Sequence, residues 1–180
     1  TGEVKGVVIV KAGGVTFQDA ALSEPLIVAP GAPSASVTLT GSTTAAEVVV
    51  AAQGAKLTVD KSAAVDTVAV EAPRASVTVA GKVDAVTVAG SASNATVTAR
   101  AGATVSSVET SAAGTTVTGS GKVEHVTANA GATRTEVMTN GTKVENNSSS
   151  AVTTGSGTVS AGTTDTTTST GSSSSDSSSG

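Results

Sequence analysis

Four carboxylates fall at matching places in the sequence: Asp66, Asp84, Glu124 and Glu145 follow Val65, Val83, Val123 and Val144. Carboxylates brought together in pairs can bind a hard cation through oxygen, or divide acid and base roles. Ser106 interrupts the series after Val105, and Lys82, Lys122 and Lys143 stand two residues ahead of three of the acids. Each of those acids thus carries its own counter-charge, and the pattern reads as a solvated, charge-mixed edge rather than a metal or catalytic centre. Cleavage of a polysaccharide needs a dense acidic cluster with basic groups close by, yet Arg74, Arg100 and Arg134 lie apart from these acids.

The other reactive residue types are scarce. His125 is the only histidine and there is no cysteine, so thiolate metal sites, disulfides and a two-imidazole metal site are all excluded. No nucleophile with a partnering base is visible beside His125, which reads as an exposed turn residue. No catalytic residue, cofactor or metal site is expected. A threonine series, Thr16, Thr38, Thr58, Thr78, Thr96 and Thr116, has spacing that would make a regular hydroxyl ladder capable of ordering water and binding ice. Its flanking positions are mixed, with Ser36, Lys56, Asp60 and Gly114 among them, and threonine is a common residue on exposed strands.

The elements that would position these residues must be unusual, because the composition is. Phe17 is the only aromatic residue, charged residues make 13% of the chain, and the apolar set is mainly valine and alanine. A core built from such small side chains must be narrow. The net charge of −4, with ten cations spread along 180 residues and no aromatic platforms, argues against nucleic acid. No apolar run approaches the roughly 20 residues that span a bilayer, so no transmembrane segment is expected. The chain opens Thr1-Gly2-Glu3, without the charged stub and apolar stretch of a signal peptide, and reads as mature or excised.

"GKVDAVTVAG" at Gly81–Gly90 returns as "GKVEHVTANA" at Gly121–Ala130. The repeat belongs to a longer series of short strand-like triplets: Val8-Ile9-Val10, Leu26-Ile27-Val28, Val48-Val49-Val50, Val68-Ala69-Val70, Val86-Thr87-Val88, Val108-Glu109-Thr110 and Val126-Thr127-Ala128. Successive members lie 18, 20 or 22 residues apart. A second series interleaves, centred on the threonines above and closing with Thr135-Glu136-Val137. A third, single position is held by Leu22, Ala45, Val65, Val83, Val105, Val123 and Val144. Each triplet alternates apolar ends with a variable centre and is too short to pair within its own period. Stacking one period on the next, about 4.8 Å apart and in parallel, pairs them all. The expectation is an all-β fold: a short right-handed parallel β-helix of about seven coils, with an antiparallel β-sandwich as runner-up.

"GKVDAVTVAGSASNATVTARAGATVSSVET" resembles the Val-Thr-Gly β-helical repeats of large bacterial cell-surface proteins, of the kind found beside S-layer homology modules. The resemblance covers about Thr1 to Asn147 and implies an extracellular or cell-wall location. It carries over no functional residue. The β-helix domain is expected to span 1–147. Residues 148–180, rich in Ser, Thr and Gly, read as a flexible linker or tail, since they offer little apolar surface to offset ordering entropy. No cap is evident at either end of the solenoid, so neighbouring domains of a longer parent protein are the expected partners.

One asymmetry suggests an interaction face. The outward centres of the first triplets are Ile9, Ile27, Val49 and Ala69, then Thr87, Glu109 and Thr127. Four stacked apolar centres would form a stripe for a neighbouring domain, a second copy, or the Asp19–Pro25 loop to cover. The function expected is a non-catalytic structural or spacer module. The alternative is an adhesin-like module whose exposed face binds cell-wall or host glycan, or protein.

Overall fold

A computed structural model describes residues 2–11, 13–31 and 35–168. These residues form no helix. They wind into a parallel β-solenoid of about seven turns, its strands gathered into an eleven-stranded sheet A and a nine-stranded sheet B. At about 4.8 Å per layer the stack of parallel strands is about 34 Å long.

Sheet A contains the first triplet series. Val8, Leu26, Val48, Val68, Val86, Val108, Val126 and Val144 follow one another in register. Beside them run Val4, Leu22, Ala45, Val65, Val83, Val105 and Val123. From the third layer onward the two columns merge into single strands such as Ala64–Val70 and Lys82–Val88. Val144 therefore belongs to the first series. Its Lys-Val-Glu setting imitates the third-position valines, but Val126 is its register partner, at an 18-residue interval of the first series.

Sheet B contains the second series, with a correction. Its middle inward column is Val15, Val37, Leu57, Val77, Val97, Val117 and Val137. Ala95, Thr115 and Thr135, which open the triplets expected from sequence, sit instead in a buried corner column with Ala55 and Ala75. Ladder bonds show this placement: the amides of Ser76, Thr96, Thr116 and Glu136 donate to the carbonyls of Ala55, Ala75, Ala95 and Thr115. The error has a simple cause. In Ala95-Thr96-Val97-Thr98-Ala99 every second residue is apolar, so alternation alone cannot choose the register.

The core explains the lack of aromatic residues. Valine and leucine fill the strand columns, and alanines 52, 72, 92, 112 and 132 stack in another corner. The facing sheets leave no room for larger side chains, and each valine meets its equivalents above and below.

Corner geometry explains the Gly-Lys-Val repeat. After Val59 and Ala99 the chain takes the long route through Asp60–Ala63 and Arg100–Ala103. After Val79 and Gly119 it cuts straight through Gly81 and Gly121. At these short corners the backbone presses on the layer before it. A Cβ on Gly81 would collide with the carbonyls of Ala63 and Asp60, and one on Gly121 with that of Arg100. From Val59 to Gly119 long and short corners alternate, so the repeat spans two coils; the preceding corner, Thr40–Thr43, is also long. At another corner, residues Gly54, Arg74, Asn94, Gly114 and Arg134 all take positive φ. Glycine and asparagine suit this left-handed backbone, whereas arginine there carries a steric cost.

The C-terminal end departs from expectation. The linker expected from Ser148 is ordered through Thr168 and closes the solenoid. Val152–Thr154 adds a last parallel strand to sheet B, and Gly157–Val159 folds back on it antiparallel. Thr164–Thr166 then pairs antiparallel with Lys143–Asn146 at the end of sheet A. Polar side chains do the work that low hydrophobicity seemed to forbid. Asn146 continues the inward column Val70, Val88, Thr110, Ala128 and is fully buried. Its Nδ2 donates to the carbonyls of Ser150 and Val159, at 2.8 and 2.9 Å. Its Oδ1 accepts from the amide and hydroxyl of Ser148, at 3.0 and 2.7 Å. Thr139, Thr142 and Thr167 make a second buried hydroxyl cluster below it. Residues 169–180 of the expected tail lie outside the described residues.

The opposite end is different in kind. In the first layer Val4, Val8, Val15 and Phe17 are only partly buried, and Val7 and Ile9 are each 54% exposed. The solenoid has one polar, closed end and one apolar, open end.

Candidate functional site

The acidic row is only partly assembled. Asp66, Asp84, Ser106 and Glu124 occupy equivalent places, each between a buried column valine and the next residue pair in register. Glu145 does not join them. Because Val144 stacks on Val126, Glu145 lies across from Thr127, in the row that includes Thr87 and Glu109. The acids at Asp84 and Glu124 approach their own lysines: Lys82 Nζ is 3.8 Å from Asp84, and Lys122 Nζ is 3.6 Å from Glu124. Both pairs are solvent-exposed, where such contacts contribute little. No group of three or more potential ligands gathers around a metal-sized space among the described residues. His125 is exposed, in register between Ser107 and Lys143.

Two other carboxylates are held more firmly, and neither was singled out by sequence. Asp19, in a left-handed corner, accepts the amide of Ser42 at 2.9 Å and its hydroxyl at 3.2 Å. These bonds, the amide first, hold its carboxyl below the usual value. Asp60 accepts the Lys61 amide at 2.9 Å and the Thr40 hydroxyl at 2.8 Å, and is lowered likewise, chiefly by the amide. Both serve corners of the coil.

The apolar row is continuous: Ile9, Ile27, Val49 and Ala69 are consecutive register partners in sheet A. Ile9 is exposed, while the next three are half-buried between their neighbours. The row then turns polar through Thr87, Glu109, Thr127 and Glu145. The Asp19–Pro25 segment does not cover it, because Ala20–Leu22 is itself a strand in the plane of sheet A.

A groove of about 610 Å³ opens beside the short corner at Gly119–Lys122, bounded by Gly102, Met138 and Asn140. It arises where a short corner sits recessed among its neighbours. Among the described residues Lys122 is its only charged lining residue, and no acid–base pair faces it.

On sheet B the corrected register rebuilds the threonine ladder. Its outward row is Thr16, Thr38, Thr58, Thr78, Thr98 and Thr118. Thr96 and Thr116 move to a second row, in register with Ser36, Lys56 and Ser76 before them and Glu136 after. Sequence reasoning missed this second row through the two-residue slip described above. Compared with known family models, curated proteins and solved structures, the chain matches none.

Proposed function

We propose that this chain is a non-catalytic structural or spacer module of a secreted bacterial cell-surface protein. The observation that carries this reading is the continuity of the two parallel ladders, closed at one end by an antiparallel polar cap. Each layer is hydrogen-bonded to the next, so the fold transmits load along its axis and protects its backbone from proteases. The open apolar end around Val4, Val8 and Phe17 is the natural seat for a neighbouring domain. Surface location rests on the repeat resemblance.

Limited proteolysis of the full chain tests the spacer reading. A core reaching to about Thr168 should survive protease levels that digest ordinary loops, and cleavage at internal corners would refute it. The adhesin-like alternative draws on the row Ile9, Ile27, Val49 and Ala69. Specific, saturable binding of a glycan or protein, lost in Ile27→Lys, would replace the spacer reading with that one.

A further inference from the structure

The geometry points to an ice-binding face on sheet B, centred on Ser76, Thr78, Thr96, Thr98, Thr116 and Thr118. In three successive layers these residues place two outward hydroxyls on each strand, separated by the inward Val77, Val97 and Val117. Layer spacing fixes one repeat at about 4.8 Å, and alternation along the strand fixes the other at about 6.6 Å. The Thr78–Thr98–Thr118 row continues without a break through Thr58 and Thr38 to Thr16.

Three properties narrow the occupant. Five of the six central residues are threonines, which are β-branched and stiff at χ1, so repeated layers can hold their hydroxyls and methyls in one orientation at low entropic cost. The patch is uncharged, with Lys56 and Glu136 bounding its second row. Finally, the side-chain hydrogen bonds of the described residues engage threonines at corners and in the core, such as Thr40, Thr43, Thr110 and Thr139, and not those of the ladder. The ladder hydroxyls face solvent as donors and acceptors alike.

A peptide or soluble glycan repeats in one dimension and needs a groove or an aromatic anchor, which this face does not provide. A surface with its own two-dimensional repeat can meet every position at once. Ice fits this chemistry: it is neutral, and each of its waters both donates and accepts, as a hydroxyl does. Methyls between the hydroxyls would help hold the intervening water in a lattice.

The test uses the full chain. Thermal hysteresis and faceted ice growth are expected above those of an unrelated protein at equal mass concentration. Thr78→Lys with Thr98→Lys should reduce both to the control level while the cooperative thermal transition persists. Thr87→Lys, on sheet A, should leave them unchanged. Absence of hysteresis and shaping in the folded parent overturns the proposal. So does activity that survives the double substitution, or that Thr87→Lys removes equally. Adsorption to a crystalline polysaccharide without any effect on ice would also overturn it.

Discussion

Thr78 lies in register with Thr98, and Thr96 lies in register with Ser76. This pairing converts one irregular threonine series into two parallel rows, and it can be tested chemically. In-register Cα atoms of neighbouring strands are about 4.8 Å apart, within disulfide range, whereas diagonal positions exceed it. Thr78→Cys with Thr98→Cys should cross-link under mild oxidant, and Thr78→Cys with Thr96→Cys should not. Thiol quantification and mass spectrometry read the result, and preferential cross-linking of the second pair would refute the register.

Asn146 organises the closed end. Replacing it with alanine removes four side-chain hydrogen bonds: the Val159 carbonyl loses its Nδ2 donor, while the Ser150 carbonyl keeps only the Ser148 hydroxyl, at 2.9 Å. The expected loss is about 2–4 kcal/mol, from net bond energies near 1 kcal/mol and the penalty for unpaired buried groups. Urea unfolding measures the loss. Amide exchange should accelerate first in Val152–Val159, and uniform acceleration along the chain would argue against a local cap.

The short corners predict a contrast between glycines. Gly121→Ala drives a methyl into the Arg100 carbonyl of the preceding layer, and Gly119→Ala does the same at Ala99 with φ at +113°. Each should cost about 3 kcal/mol or more in denaturant unfolding. Gly90→Ala meets only an ordinary contact, 3.6 Å from the Ser111 carbonyl, and should be nearly neutral. Equal effects at the three sites would contradict the corner geometry.

The left-handed corner predicts stabilisation. Arg74 and Arg134 hold φ of +59° and +54°, in the same corner position as Gly54, Asn94 and Gly114. Arg74→Gly removes a steric cost of about 1–2 kcal/mol and incurs part of it again as unfolded-chain entropy. A net gain of up to about 1 kcal/mol is expected by urea unfolding. A loss would show that the arginine side chain contributes more than its backbone costs.

Acid sensitivity should trace to Asp19 and Asp60. Both are lowered from the ordinary 3.8, chiefly by backbone amides donated from Ser42 and Lys61. Their stabilising contribution is therefore complete above about pH 3.8 and is lost as pH falls through their lower folded-state values. Asp19→Asn with Asp60→Asn should flatten the fall in stability below pH 4. An unchanged slope would move the acid response to other carboxylates.

Much of this architecture was legible without coordinates. The sheet A series read correctly from Val8 to Ala128 because its triplets begin and mostly end in bulky apolar residues, leaving one register that buries them. Sheet B was legible only to Val79. Beyond it, Ala95-Thr96-Val97-Thr98-Ala99 offers apolar residues at every second position, and two registers bury similar surface. Val144 and Glu145 were misplaced for a related reason, since Lys-Val-Glu mimics the earlier Lys-Val-Asp while the route before it differs. The cap was illegible, because composition predicts burial only through hydrophobicity. Asn146, Ser148 and Thr167 are buried by hydrogen bonds whose partners are distant in sequence.

The sequence by itself determined a valine-stacked parallel solenoid and its narrow core. Those properties follow from residue size, alternation and repeat length, all local or periodic quantities. Tertiary structure alone decided which threonines share a row, which corner runs short, and how the end is closed. Each depends on contact between adjacent layers, where a carbonyl from the preceding coil or an amide from a returning strand selects one arrangement among several that the pattern permits.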